Sequence, residues 1–136
     1  MTQEEKELLL KDLCGRYPYS VKVNVNGEIQ TFDSLCDDDG YCFQFLQSDG
    51  ITEGVNIENI KPYLRPMSSM TEEEYNKYEL TFDNVVVYSG HNNNNIHSEH
   101  RPTYETFDYL DSIHVDYRGL IEKGLALEAP KDMYKF

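Results

Sequence analysis

Tryptophan is absent, cysteine is scarce, and no stretch of the chain is basic. Each gap narrows what the protein can do. Residues 1–70 carry 6 basic and 12 acidic side chains, and residues 71–136 carry 6 and 13, so the net charge of −13 is spread evenly. Binding to DNA, RNA or an anionic membrane draws on lysines and arginines that neutralise phosphates. None of these partners is expected here. No apolar run approaches the roughly 18 residues that span a bilayer. The opening MTQEEKELLL has neither the basic start nor the long apolar core of a secretory signal. Three cysteines, Cys14, Cys36 and Cys42, are too few and odd in number for a disulfide scaffold. They read as buried free thiols in a reducing cytoplasm, where the protein is expected to reside. The sequence also lacks G-x-G-x-x-G, a P-loop and G-x-S-x-G. No cofactor and no catalytic residue is expected, and the chain is not read as an enzyme.

What remains is enough for one domain. The 136 residues include 11 tyrosines and 6 phenylalanines, which supply apolar area that the aliphatics alone do not. Thr2 and Glu5 form a T-x-x-E capping box. The predicted helix runs from Gln3 to Cys14, with Leu9, Leu10, Leu13 and Cys14 inward, and Gly15 as its stop. The hydrophobic period then falls to two. Val21, Val23 and Val25 alternate with Ser20, Lys22 and Asn24, the pattern of a half-buried strand. Asn26-Gly27 is a hairpin turn signal, and Glu28 to Phe32 is the returning strand. Tyr41 to Leu46 and a shorter Val55 to Ile57 are further strands, separated by turns at residues 37–40 and 48–50. Ile57, Ile60, Tyr63 and Leu64 are spaced for a helical turn, limited by Pro62 and Pro66.

The second half is more helical. Thr71 and Glu74 make a second capping box, predicting a helix to about Glu79. Leu80 to Tyr88 reads as a β-branched strand. Ser89 to Pro102, SGHNNNNIHSEHRP, reads as an exposed loop, because consecutive asparagines favour turns. Thr103 is expected to cap a helix from Tyr104 to Ile113 with Phe107, Leu110 and Ile113 inward. Asp116 is expected to cap a shorter one from Tyr117 to Lys123, and the tail Leu125 to Pro130 to dock on the body. The fold class is therefore α+β in one domain, residues 1–136. A β-rich half, 1–66, forms a small antiparallel meander or an SH3-like, partly open barrel. An N-terminal helix flanks it, and a more helical half, 67–136, adds C-terminal helices.

Two segments carry a resemblance. One is Lys61-Pro62-Tyr63-Leu64-Arg65-Pro66-Met67-Ser68-Ser69-Met70-Thr71. The other runs from Phe107-Asp108-Tyr109-Leu110 through Asp116-Tyr117-Arg118-Gly119-Leu120-Ile121-Glu122-Lys123-Gly124-Leu125-Ala126-Leu127. With Met1 to Cys14 they cover roughly a third of the chain. They resemble a family of short uncharacterised bacterial proteins associated with mobile elements or prophage. That resemblance implies an origin but no activity. Residues 89–100 look like an insertion relative to it.

Few groupings point to chemistry. His91, His97 and His100 lie within ten residues, with Glu99 beside them, and imidazole is the commonest zinc ligand. They are the metal candidates, although H-x5-H-x2-H matches no standard zinc spacing. Asp37-Asp38-Asp39-Gly40 hints at a calcium loop. With Gly40 in the sixth position, however, Leu35 and Leu46 would stand where oxygen ligands are needed. Cys36 and Cys42 are too far apart for a C-x-x-C knuckle. His114 is placed at a helix end, where positive charge suits the dipole. Asp108 and Asp111 share a predicted exposed face, with Asp116 a cap. Tyr117 and Arg118 are the partner-binding candidates, since Tyr and Arg are favoured at hot spots. The alternative role for Arg118 is an i, i+4 pair with Glu122.

The reading that follows is a non-enzymatic module that binds another protein, with a homodimer among the arrangements it allows. Two alternatives stand beside it: a metal-dependent hydrolase built on the histidine segment, and an acidic mimic of nucleic acid occupying a basic protein site.

Overall fold

The computed structural model describes residues 1–36, 42–46 and 52–134. The turns expected at residues 37–40 and 48–50 lie outside the described residues, as do Tyr41 and the side chains of Cys36, Cys42, Phe43 and Phe45.

Helix α1 spans Gln3–Arg16. Its capping box closes as expected: the Glu5 amide donates to Thr2 Oγ1 at 3.1 Å, and the Thr2 amide donates to Glu5 Oε1 at 2.9 Å. The helix does not stop at Gly15, and its inner face is Leu9, Asp12, Leu13 and Arg16 rather than a stripe ending in Cys14. Cys14 is exposed. Gly15 is needed for a different reason. A Cβ there would stand 2.6 Å from Asp111 Oδ2, so its missing side chain lets a neighbouring helix approach.

After a 3₁₀ turn at Tyr17–Tyr19, strand β1 (Lys22–Val25) buries Val23 and Val25 and leaves Lys22 and Asn24 partly exposed. Asn26 and Gly27 both adopt positive φ, 51° and 92°, as a tight hairpin of this hand requires. Strand β2 (Glu28–Cys36) returns, with a bulge between Phe32 and Ser34. Strands β3 (Cys42–Leu46) and β4 (Thr52–Asn56) continue the meander. The register sets Cys36 opposite Cys42.

The segment expected to make a helical turn is a central strand. A 3₁₀ turn covers only Ile57–Asn59, and β5 (Ile60–Pro66) then pairs antiparallel with β1. Ile57, Ile60 and Leu64 fit a helical spacing, but Ile60, Pro62 and Leu64 also alternate with Lys61 and Tyr63, and these three are the buried ones. Proline pushes the residue before it toward extended backbone, which decides for the strand. Two short strands, β8 (Val115–Asp116) and β9 (Leu127–Glu128), join β5 in parallel. The sheet order is β4-β3-β2-β1-β5-β8, with β9 also on β5. It is an α+β arrangement around a mixed sheet, not a closed barrel.

Between β5 and β8 lie helix α2 (Glu72–Leu80), strand β6 (Asp83–Ser89), strand β7 (Asn95–Arg101) and helix α3 (Tyr104–Ser112). The capping box of Thr71 and Glu74 opens α2. The predicted loop over residues 89–102 is largely strand: β6 and β7 form a separate two-stranded antiparallel sheet. Only the tip turns, through Gly90 at φ 87° and Asn92 at φ 61°. The local turn preference of the asparagines is confined to that tip, because the β-branched run of β6 supplies a pairing partner for residues 95–101.

The expected helix over Tyr117 to Lys123 is a set of turns. The Asp116 carboxylate does cap it, accepting the Leu120 and Ile121 amides at 2.9 Å each. Gly119 and Gly124, both at φ 74°, break the helical path. The tail docks as expected, with Leu125 and Ala126 buried and the Ala129 amide donating to the Leu64 carbonyl at 2.8 Å.

Two apolar clusters result. The larger joins Leu9 and Leu13 of α1 to Val21, Val23, Val25, Phe32, Ile57, Ile60, Leu64, Leu120, Leu125 and Ala126. The smaller, Leu110, Ile113 and Val115, has Met70, Tyr78, Tyr109 and Tyr117 against it. Phe107, expected inward, is 41% exposed, and Thr106 takes the buried place on α3. Among the described residues, no helix is long and apolar enough to cross a membrane.

Candidate functional site

Tyr117 and Arg118 are engaged within the protein. Arg118 Nη1 donates to Asp12 Oδ1 at 2.7 Å, and its guanidinium lies 4.5 Å from the centre of the Tyr117 ring. The Tyr117 hydroxyl donates to Asp111 Oδ1 at 2.9 Å, and burial pushes its ionisation far up. Arg118 therefore meets Asp12, 106 positions away in the chain, rather than the Glu122 expected from helical spacing. Asp12 also accepts from Arg16 Nε at 2.9 Å, and Arg16 Nη2 donates to the Val115 carbonyl at 2.7 Å. Asp111, expected on an exposed face, is buried beside these groups, and desolvation raises its pKa. Two aspartates, two arginines and a tyrosine thus tie α1 to α3 and to the segment after it. Their charges cancel within the cluster, which suits a structural clasp.

His114 also departs from expectation. It follows α3 in left-handed backbone, φ 59°, and is almost fully buried. Its ring stacks on Tyr134 with centroids 4.0 Å apart. Burial, with Arg16 adding repulsion, lowers its pKa to about 4, so it is neutral near pH 7 and is not the cation expected at the helix end. The Tyr134 hydroxyl accepts the Lys22 amide and donates to the Tyr63 carbonyl, both at 2.8 Å, bridging β1 and β5.

An open hollow of about 870 Å³ lies beside Arg65, Glu74, Lys77, Tyr109, Lys131 and Tyr134. Its central cation is already used. Arg65 donates through both terminal nitrogens to the Glu74 carboxylate, at 2.7 and 2.8 Å, and to the carbonyls of Ile113 and Ser69.

The three candidate histidines diverge. His91 is in the hairpin tip. His97 and His100 are three apart on one strand and so point to opposite faces. His97 Nε2 donates to Glu99 Oε1 at 2.9 Å on one face, where Arg101 Nε also reaches Glu99, at 2.6 Å. On the other face His100 Nδ1 meets Asn84 Oδ1 at 3.0 Å, and the ring stacks on Phe82 at 4.9 Å. Asn84 Oδ1 only accepts, so Nδ1 carries the hydrogen. Among the described residues, no group of three or more His, Cys, Asp or Glu is placed to hold a metal ion.

The same segment presents something else. In the β6–β7 pair Val86 faces Ser98, Tyr88 faces Ile96 and Asn84 faces His100. Directly opposed residues share a face, so Val86, Tyr88 and Ile96 lie together on one side. They are 52%, 61% and 63% exposed, and none of the hairpin's described side chains is buried. The root, by contrast, is fixed. Thr103 Oγ1 donates to the Thr81 carbonyl at 2.8 Å, the Thr81 and Thr106 hydroxyls are 2.7 Å apart, and Phe82 sets its edge against Tyr78. A hairpin anchored between α2 and α3 thus holds an apolar face in water. The signal in the sequence was the alternation Ile96, Ser98, His100 against Val86 and Tyr88, masked by the asparagines between them. Neither a family model, nor a curated protein, nor a solved structure matches the chain.

Proposed function

We propose that the protein is a non-enzymatic protein-interaction module that engages its partner through the Val86–Tyr88–Ile96 face of the β6–β7 hairpin. One observation carries this: three large apolar side chains share the exposed side of a hairpin whose root is fixed. A two-stranded ribbon alone in water is marginal, and contiguous exposed apolar surface marks interaction sites. Asp12, Arg16, Asp111 and Arg118 are committed to one another in the clasp. The strand order β4-β3-β2-β1-β5, with a 3₁₀ turn just before β5, supports an SH3-like, partly open barrel as the scaffold that presents the hairpin. The test compares the immobilised protein with a Val86→Ser, Tyr88→Ser, Ile96→Ser variant in an extract of the source cells, with untagged copies of the chain present. A protein retained by the first and lost by the second supports the reading. Identical retention by both sinks it.

A further inference from the structure

We propose that the occupant of the hairpin face is a second copy of this chain, the two apolar faces packing against each other across a twofold axis. This rests on the interaction reading above and names its partner.

Charge selects the occupant. Each molecule carries −13, and two such bodies repel wherever their acidic surfaces approach. Residues 84–98 contain no Asp, Glu, Lys or Arg, the longest such run in the chain. Over residues 83–101 the formal charges are Asp83, Glu99 and Arg101, a net of −1. Over residues 84–98 a second copy therefore meets no formal charge of like sign. This uncharged face offers a basic partner no ion pairs. The face also suits itself: like residues can meet across a twofold axis, as a symmetric dimer requires.

Geometry selects the mode. Glu99 and the side chains bonded to it, His97 and Arg101, stand on the opposite side of the ribbon from Val86, Tyr88 and Ile96. Face-to-face contact thus excludes water from the apolar trio and leaves that charged row in solvent. Pairing edge to edge would leave all three apolar side chains wet. The face is small. Seven residues of strand span about 23 Å, and one ribbon face falls short of the roughly 800 Å² per partner of a standard stable interface. The dimer should accordingly be weak, with a dissociation constant on the order of 0.1 mM.

The test is the molar mass of the full chain by sedimentation equilibrium over a concentration series. The mass should climb from 15.9 kDa toward twice that value as concentration rises. Raising the salt should tighten association several-fold, because it screens the repulsion between the acidic bodies. Tyr88→Lys and Ile96→Lys, both at exposed positions, should each keep the protein monomeric throughout. Lys77→Arg, away from the face and unchanged in charge, should leave the dimer formed. A chain that stays at its monomer mass up to millimolar concentration overturns the proposal. So does a dimer that survives both lysine variants. A monomer whose capture of another protein still depends on the hairpin would overturn the second copy while leaving the interaction module in place.

Discussion

Arg16 Nε and Asp12 Oδ2 are 2.9 Å apart, one turn of α1 from each other, and both side chains are wholly removed from water. Asp12 is held again by Arg118, while Arg16 Nη1 is buried and has no hydrogen-bond partner among the described residues. Such a pair offsets its desolvation only while complete. Asp12→Ala leaves two guanidinium groups without their shared carboxylate, and should cost about 3–5 kcal/mol. Urea unfolding of the variant measures this. A loss of a few tenths of a kcal/mol would mean the clasp is not holding α1 in place.

Gly15 gives a prediction whose sign is informative. Helix propensity alone says that Gly15→Ala stabilises by about 1 kcal/mol. The close approach of Asp111, 2.6 Å from where the Cβ would stand, says the opposite. The expected result is a loss of about 1–3 kcal/mol from overpacking. A higher melting temperature for the variant would contradict the packing of α1 against α3.

His114 predicts acid sensitivity. Its folded pKa, about 4, is below the ordinary 6.5 of an unfolded histidine. Between these values the unfolded chain binds the proton and the folded one does not. Stability is therefore full above about pH 6.5 and falls as pH drops toward 4, by roughly 2–3 kcal/mol. The ring resonances in an NMR titration should show a midpoint near 4. His114→Asn, which tolerates the left-handed backbone, should flatten this part of the stability profile. A midpoint near 6.5 would place the ring in solvent.

Glu74 acts in a lower window. Both of its oxygens accept from Arg65, and its pKa is lowered to about 2. A depressed carboxylate contributes stability above its ordinary value and loses it as pH falls from about 5 through 2. Because the pair borders an open hollow, water screens it, and the contribution should be about 1–2 kcal/mol. Glu74→Gln should remove that acid-dependent loss. An unchanged profile would show that the pair is not coupled to folding.

These groups also show what the sequence could reveal. The capping boxes at Thr2 and Thr71, the alternating valines of β1 and the Asn26-Gly27 turn are local signals, and each is found where it was read. Ile60 to Leu64 was ambiguous because the same residues satisfy both a helical and an alternating spacing, and only pairing with β1 resolves it. The asparagines beside Ile96 concealed a strand whose partner lies across the turn. The burial of Asp111 and the pairing of Arg118 with Asp12 were not legible at all, since their counter-charges come from α1, about a hundred positions away. The candidate site was half visible: the strand ending at Tyr88 was read, but the face it shares with Ile96 needed the register.

Two copies of the chain meeting through the apolar face of the hairpin would perturb that face and little else. The most direct measurement is a dilution series followed by amide chemical shifts of the full chain. Changes concentrated in residues 84–100, with α1 and β1 unmoved, are the expected result. Spectra that do not change with concentration, or changes centred on the Asp12, Arg16 and Arg118 region instead, would contradict it.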